Sequence, residues 1–156
     1  PYIGFPKVWE ALYVINQVFE AEQIPLPLET MQTVTDENRF TAGVEAQATI
    51  FGDGMRQAAA GSPDEMTRSA YYLVTNCFGE YYTREALDLA TREMLTLAIL
   101  VNLGTMPQMK AHMRGNYNMG KSKAFISDLL YQCLPYTGYP RFLNAMNCLN
   151  EMTVIK

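Results

Sequence analysis

One imidazole and one carboxyl stand out among the residues able to move protons. His112 is the only histidine in the 156-residue chain, and Glu93 precedes it on what reads as the neighbouring helix. Glu93 lies 11 residues before Gly104 and His112 lies 8 after it. At about 1.5 Å of rise per residue, two antiparallel helices joined near Gly104 hold these groups at depths differing by roughly 4–5 Å. They can face each other if the rotation about each helix axis cooperates. Leu89 and Leu97 flank Glu93 at i−4 and i+4, so its carboxyl is expected to be partly desolvated. A carboxyl beside an imidazole in a dry pocket is a proton-transfer device.

Each of these residues has a plainer reading. Glu93 sits just inside a helix start, where the macrodipole favours carboxylates, and a lone histidine is often a hydrogen-bonded core or surface residue. Arg92 and Arg114 could bind a substrate carboxylate in bidentate fashion, or be surface charges and salt-bridge partners. Tyr136 could line a pocket, but in Tyr136-Thr137-Gly138-Tyr139-Pro140 it also belongs to turn chemistry. Tyr71, Tyr72, Tyr81 and Tyr82 read as packing or an oligomer contact. The ten methionines read as gap-fillers.

The elements that must position the pair are helices. Pro6 suits the first turn of a helix running to about Glu22, with Val8, Leu12, Ile15 and Phe19 as its apolar stripe. Residues 24–38 carry Pro25 and Pro27 and read as a linker. Thr35 is expected to cap a helix ending near Gly52, and residues 53–60 a further short turn. Ser62-Pro63-Asp64-Glu65 combines a cap, a first-turn proline and a capping box, opening a helix that should end near Gly79. Asp88 caps a helix reaching Leu103, Pro107 opens one ending near Gly120, Ser122 caps one that stops before Pro135, and Pro140 opens the last. The helix over 89–103 is apolar on nearly every side in its second half, as a central buried helix is. The short Gly104–Pro107 break makes its successor an antiparallel neighbour. No segment alternates at period two, so the fold class is all-α.

Composition narrows the function classes. A net charge of −4 and pI near 5.0 lack the basic footprint of a nucleic-acid binder. The most apolar stretch, Met94–Leu103, is too short to span a bilayer. Cys77, Cys133 and Cys148 form no C-x-x-C pair, and one histidine makes a self-contained zinc site improbable. No metal, cofactor, nucleic acid or membrane is therefore expected. Free thiols fit a reducing, cytoplasmic setting, although a chain that opens on Pro1 leaves room for a segment upstream.

Pro1-Tyr2-Ile3-Gly4-Phe5-Pro6 reappears as Pro135-Tyr136-Thr137-Gly138-Tyr139-Pro140, with Lys7, Ala11 and Asn16 aligned to Arg141, Ala145 and Asn150. We read residues 1–22 as a terminal helix like the last helix of a preceding repeat unit, 23–37 as a linker, and 38–156 as the main domain. A single domain with an extra N-terminal helix is the alternative.

Three further features carry a resemblance. They are the Thr91-Arg92-Glu93 step within Leu87–Ala98, the order Leu103-Gly104, Ala111-His112, Gly120, and the Pro135–Pro140 turn followed by Asn144-Ala145. Together they resemble the carboxymuconolactone decarboxylase superfamily, shared with alkylhydroperoxidase D-like proteins. The resemblance implies a compact helical bundle assembling into trimers or hexamers, with Glu93 and His112 at the acid/base positions. Peroxidase-type members place cysteines seven and four positions before the histidine. Those positions here are Thr105 and Gln108, so thiol–disulfide chemistry is lost there. What remains is cofactor-independent decarboxylation or proton transfer on a small carboxylated lactone or keto acid. Arg114 and Tyr136 would be substrate-binding. The rival readings are a non-catalytic oligomeric module that binds small molecules, and a thiol peroxidase-type protein with cysteines supplied from elsewhere.

Overall fold

The structure, a computed structural model, describes residues 1–60 and 64–152. The chain divides into two compact units, Pro1–Met31 and Gln32–Lys156. Among the described residues every regular element is helical, and no helix is long and apolar enough to cross a membrane.

The first unit is built on α1, Phe5–Ala21, with Pro6 in its first turn and none of its residues buried. Gly4, which precedes it, has φ 76° and ψ 158°. In the second copy of the motif Gly138 has φ 73° and ψ 162°. The two repeated motifs therefore share one backbone turn, in a region of φ/ψ space that only glycine enters without strain.

The second unit opens with α2, Arg39–Phe51, and the short α3, Gly54–Ala60. The start of α2 falls later than Thr35. Asn38 is its N-cap residue, and residues 35–38 close a turn in which the Thr35 carbonyl accepts from the Asn38 and Arg39 amides at 3.3 and 3.0 Å. The helix start expected at Ser62 and Pro63 lies outside the described residues, as does the side chain of Glu65. Next comes α4, Asp64–Tyr72.

The chain does not stop at Gly79. It continues from α4 as a π-helical segment, Leu73–Tyr81, whose last i→i+5 bond runs from the Tyr82 amide to the Cys77 carbonyl at 3.1 Å. Gly79 reads as a helix stop in the sequence because glycine weakens helices. Its use here is steric. A Cβ at Gly79 would lie 2.3 Å from the Arg39 carbonyl oxygen, and one at Gly43 would lie 2.1 Å from the Val74 carbonyl oxygen. Two bare backbones thus let α2 and the π-helical segment pack at van der Waals distance, and Ala46, Ile50, Cys77, Phe78 and Tyr82 form a buried cluster across that contact.

The remainder is a helical hairpin and its cover. Helix α5, Leu89–Leu103, starts at Asp88, whose side chain accepts from the Thr91 amide, and ends at left-handed Gly104. Helix α6, Met106–Asn118, follows with proline in its first turn. Helix α7, Lys123–Glu151, starts at the Ser122 cap. It packs on both α5 and α6. It does not stop before Pro135: the helix runs past that residue and breaks at Gly138. Pro135 removes one backbone bond without ending the helix, whereas the change of direction needs the backbone conformation that Gly138 supplies. Leu97, Leu100, Val101, Met109, Met113, Ile126, Leu130, Ala145 and Leu149 fill the core between these three helices.

The close approach of α2 to the π-helical segment gives a direct test. Gly43→Ala should lower stability by about 1–3 kcal/mol, the usual cost of overpacking, read as a fall in the urea midpoint. A midpoint at the wild-type value would mean that the two backbones are not in contact.

Candidate active site

The hairpin of α5 and α6 brings the carboxyl and the imidazole together. Glu93 Oε1 lies 2.6 Å from His112 Nδ1. The Glu93 side chain is 0% exposed and that of His112 12%. With the carboxyl as acceptor the ring donates from Nδ1, and Nε2 is the nitrogen left available to a ligand. The rotation that spacing leaves open turns the two groups toward each other.

Three further side chains hold the pair, and spacing along the hairpin did not reveal their part. The Tyr82 hydroxyl, from the loop end of the π-helical segment, donates to Glu93 Oε2 at 3.1 Å. It also bonds the Thr96 hydroxyl, on α5 one turn beyond Glu93. The Asn116 amide donates to the Glu93 carbonyl at 3.1 Å and to the His112 carbonyl at 2.9 Å. That amide is fully buried and ties α6 to α5 at the level of the pair. The sequence reads Tyr82, with Tyr71, Tyr72 and Tyr81, as packing or an oligomer contact. Tyr71 and Tyr72 are about half exposed, whereas Tyr82 is buried and polar in its use. The one local signal for Asn116 is its position four residues after His112, on the same helix face.

The wall around the imidazole is apolar and tight. Phe51 meets the His112 ring edge to face, with centroids 5.3 Å apart. Gly115 lies directly against the carboxyl. A Cβ there would sit 2.4 Å from Glu93 Oε1, 2.6 Å from Ile50 Cγ2 and 3.1 Å from Phe51 Cε1. The missing side chain at Gly115 is thus what lets α2, α5 and α6 converge on one carboxylate. Asn118 reinforces the convergence by donating to the Ile50 carbonyl at 2.9 Å.

The other candidate residues lie apart from the pair. Arg114 lines a cleft of about 260 Å³ with Lys110, Cys148, Glu151 and Met152, on the side of α6 that its two-residue offset from His112 turns away from Glu93. Tyr136 is 83% exposed. Arg92 is engaged in holding the loop before α5, where its guanidinium donates to the carbonyls of Arg84, Glu85 and Leu87 at 2.7, 2.7 and 3.1 Å. Among the described residues no group of three or more His, Cys, Asp and Glu side chains is placed to hold a metal ion. All three cysteines are buried, and burial pushes the Cys133 and Cys148 thiols up from their ordinary range.

Comparison with known proteins follows the same residues. The family model described as "Carboxymuconolactone decarboxylase family" matches residues 68–151, a stretch that contains Tyr82, Glu93, Thr96, His112, Gly115 and Asn116. A protein of Acinetobacter baylyi named 4-carboxymuconolactone decarboxylase is 25% identical over 120 residues, covering 76% of this chain and 90% of that relative.

The cradle makes a prediction of its own. Gly115→Ala should cost about 1–3 kcal/mol of stability and push the carboxyl off the ring, so that a crystal structure of the variant shows the Nδ1–Oε1 contact broken. A variant that keeps both its stability and the contact would show that the cradle has slack.

Proposed function

The chain belongs to the carboxymuconolactone decarboxylase family, and from that premise we propose that it is a cofactor-independent carboxy-lyase acting on a small carboxylated lactone or a related keto acid. The observation that carries the reading is the 2.6 Å contact between a fully buried carboxyl and a slightly exposed imidazole. The name of the Acinetobacter relative supports the substrate class.

The chemistry asked of the site is modest. In decarboxylation next to a conjugated carbonyl, the bond between the substrate carbon and its carboxylate breaks. Carbon dioxide leaves, and the electron pair stays behind as an enolate-type anion. That developing charge must be stabilised, and a proton must then reach carbon. In this proposal His112 Nε2 takes a proton from water and passes it to the carbanionic carbon. Glu93 holds Nδ1, orients the ring and offsets the imidazolium charge. Phe51 and the buried wall around it keep water from competing for the intermediate.

A guanidinium suits a substrate carboxylate, but Arg114 faces the cleft on the far side of α6 and Tyr136 faces outward. The proposal therefore rests on Glu93 and His112 alone. An assembly of three or six subunits belongs to the same proposal. Exposed Leu95, Ile99 and Leu103 recur along one side of α5 and would suit a subunit contact. A cytoplasmic location is likewise proposed.

The test uses 4-carboxymuconolactone as the first probe and carbon dioxide release as the readout. Glu93→Gln and His112→Ala should each lower turnover by about 10²–10⁴-fold, the usual worth of a positioned acid or base, with an unchanged far-ultraviolet circular dichroism spectrum. Wild-type turnover in both variants would overturn the assignment and leave the fold as a binding module.

A further inference from the structure

We propose that a second cavity, lined by α2, α3 and the passage from α4 into the π-helical segment, binds a small neutral compound of the phenol class, with the Gln47 amide as its polar handle. The cavity has a volume of about 110 Å³. Its wall includes Gln47 of α2, Met55, Ala58 and Ala59 of α3, and Ala70 and Leu73 beside them. Neither Glu93 nor His112 lines it, nor do the Ile50 and Phe51 side chains that wall the pair.

The argument starts from Gln47. This residue is 3% exposed, yet its side-chain amide makes no hydrogen bond among the described residues. Buried polar side chains are nearly always paired. One that is not has given up its hydrogen bonds to water without replacement. A primary amide offers two N–H donors and a carbonyl acceptor. Standing on a cavity wall, it is a hydrogen-bonding group in need of a partner.

The rest of the wall limits what that partner can be. Its other residues are aliphatic or methionine, and no charged side chain is among them. A carboxylate would lose its water there with nothing to offset the loss. The carboxylated compounds proposed for Glu93 and His112 are therefore the wrong class for this cavity. Alanine at 58, 59 and 70 leaves open a space that larger side chains would fill. An apolar cavity of ~150 Å³ accepts benzene, so this smaller one suits a single six-membered ring and little more. A phenol joins such a ring to a hydroxyl that both gives and accepts hydrogen bonds, which matches an amide that does the same. An apolar enclosure with one well-placed polar group is the usual make-up of a small-molecule site. Ala58 and Leu73 are exposed, so the cavity is not sealed and a ligand can enter without unpacking the core.

Met55 gives the cavity its own reporter. In the 156-residue protein carrying carbon-13 methionine methyl groups, phenol should move the Met55 signal, assigned through Met55→Leu, along a saturable curve. Benzene should move the same signal. Gln47→Leu should weaken phenol binding about three- to tenfold, the worth of an ordinary hydrogen bond, and leave benzene binding no weaker. Gln47→Met, of similar length, takes its place if Gln47→Leu does not fold. Ala59→Leu, or Ala70→Leu, fills the space and should abolish the response to both compounds. A Met55 signal that never saturates with phenol would mean that the cavity holds only water, and would overturn the proposal. Equal phenol affinity in the wild type and the folded Gln47 variant would overturn it as well. Because neither member of the pair lines the cavity, either result stands whether or not the Glu93 and His112 variants lose turnover.

Discussion

A carboxyl group without water must find its hydrogen bonds in the protein, and Glu93 finds them on two different elements. The imidazole of α6 takes one oxygen and the hydroxyl at the end of the π-helical segment takes the other. Leaving such a group buried and unpaired costs several kcal/mol. The positions of α6 and of Tyr82 relative to α5 are therefore constrained by one side chain. The constraint is reciprocal. Asn116 locks the backbones of α5 and α6 at the same level, and Gly115 removes the bulk that would keep them apart.

Much of the rest of the second unit can be understood as support for that convergence. Helix α2 contributes Ile50 and Phe51 to the wall around the pair. It is held there by glycine contacts with the π-helical segment. The wider turns of that segment carry Phe78 and Tyr82 side by side, with ring centroids 4.7 Å apart, so one of the two rings packs and the other reaches the carboxyl. Wide helical turns of this kind recur at functional sites. Here the physical result is a tyrosine placed to meet a group eleven residues further along the chain. On the other side, α7 covers the apolar back of the α5–α6 hairpin, which keeps that hairpin rigid behind the site.

How much of this could be read from the sequence depended on whether the cause was local. Asp88 and Gly104 bound α5 through capping and left-handed chemistry that a single sequence displays, and both ends fell where expected. The meeting of Glu93 and His112 was legible as depth, because helical rise is nearly constant, but not as rotation. Gly79 and Pro135 misled for the same reason. Each has a strong intrinsic tendency to end a helix, and in each case tertiary packing decided otherwise. Gly115 carries no local sign of its part, since its value lies in atoms contributed by Ile50, Phe51 and Glu93. Tyr82 was hidden by its neighbours: four tyrosines close together look alike until burial separates them. The family resemblance, confirmed by the match over residues 68–151, singled out the acid and the imidazole but not the groups that hold them.

The account therefore stands on a coupling between two side chains, and a double-mutant cycle in stability measures that coupling without reference to any substrate. Glu93→Leu, His112→Leu and the double variant would be compared by urea denaturation. Each single change strands a buried polar partner, whereas the double change removes both. The predicted result is a double variant less destabilised than the sum of the singles by at least about 1 kcal/mol. Additivity within about 0.5 kcal/mol would show that the carboxyl and the imidazole do not interact in solution, and would contradict the account at its root.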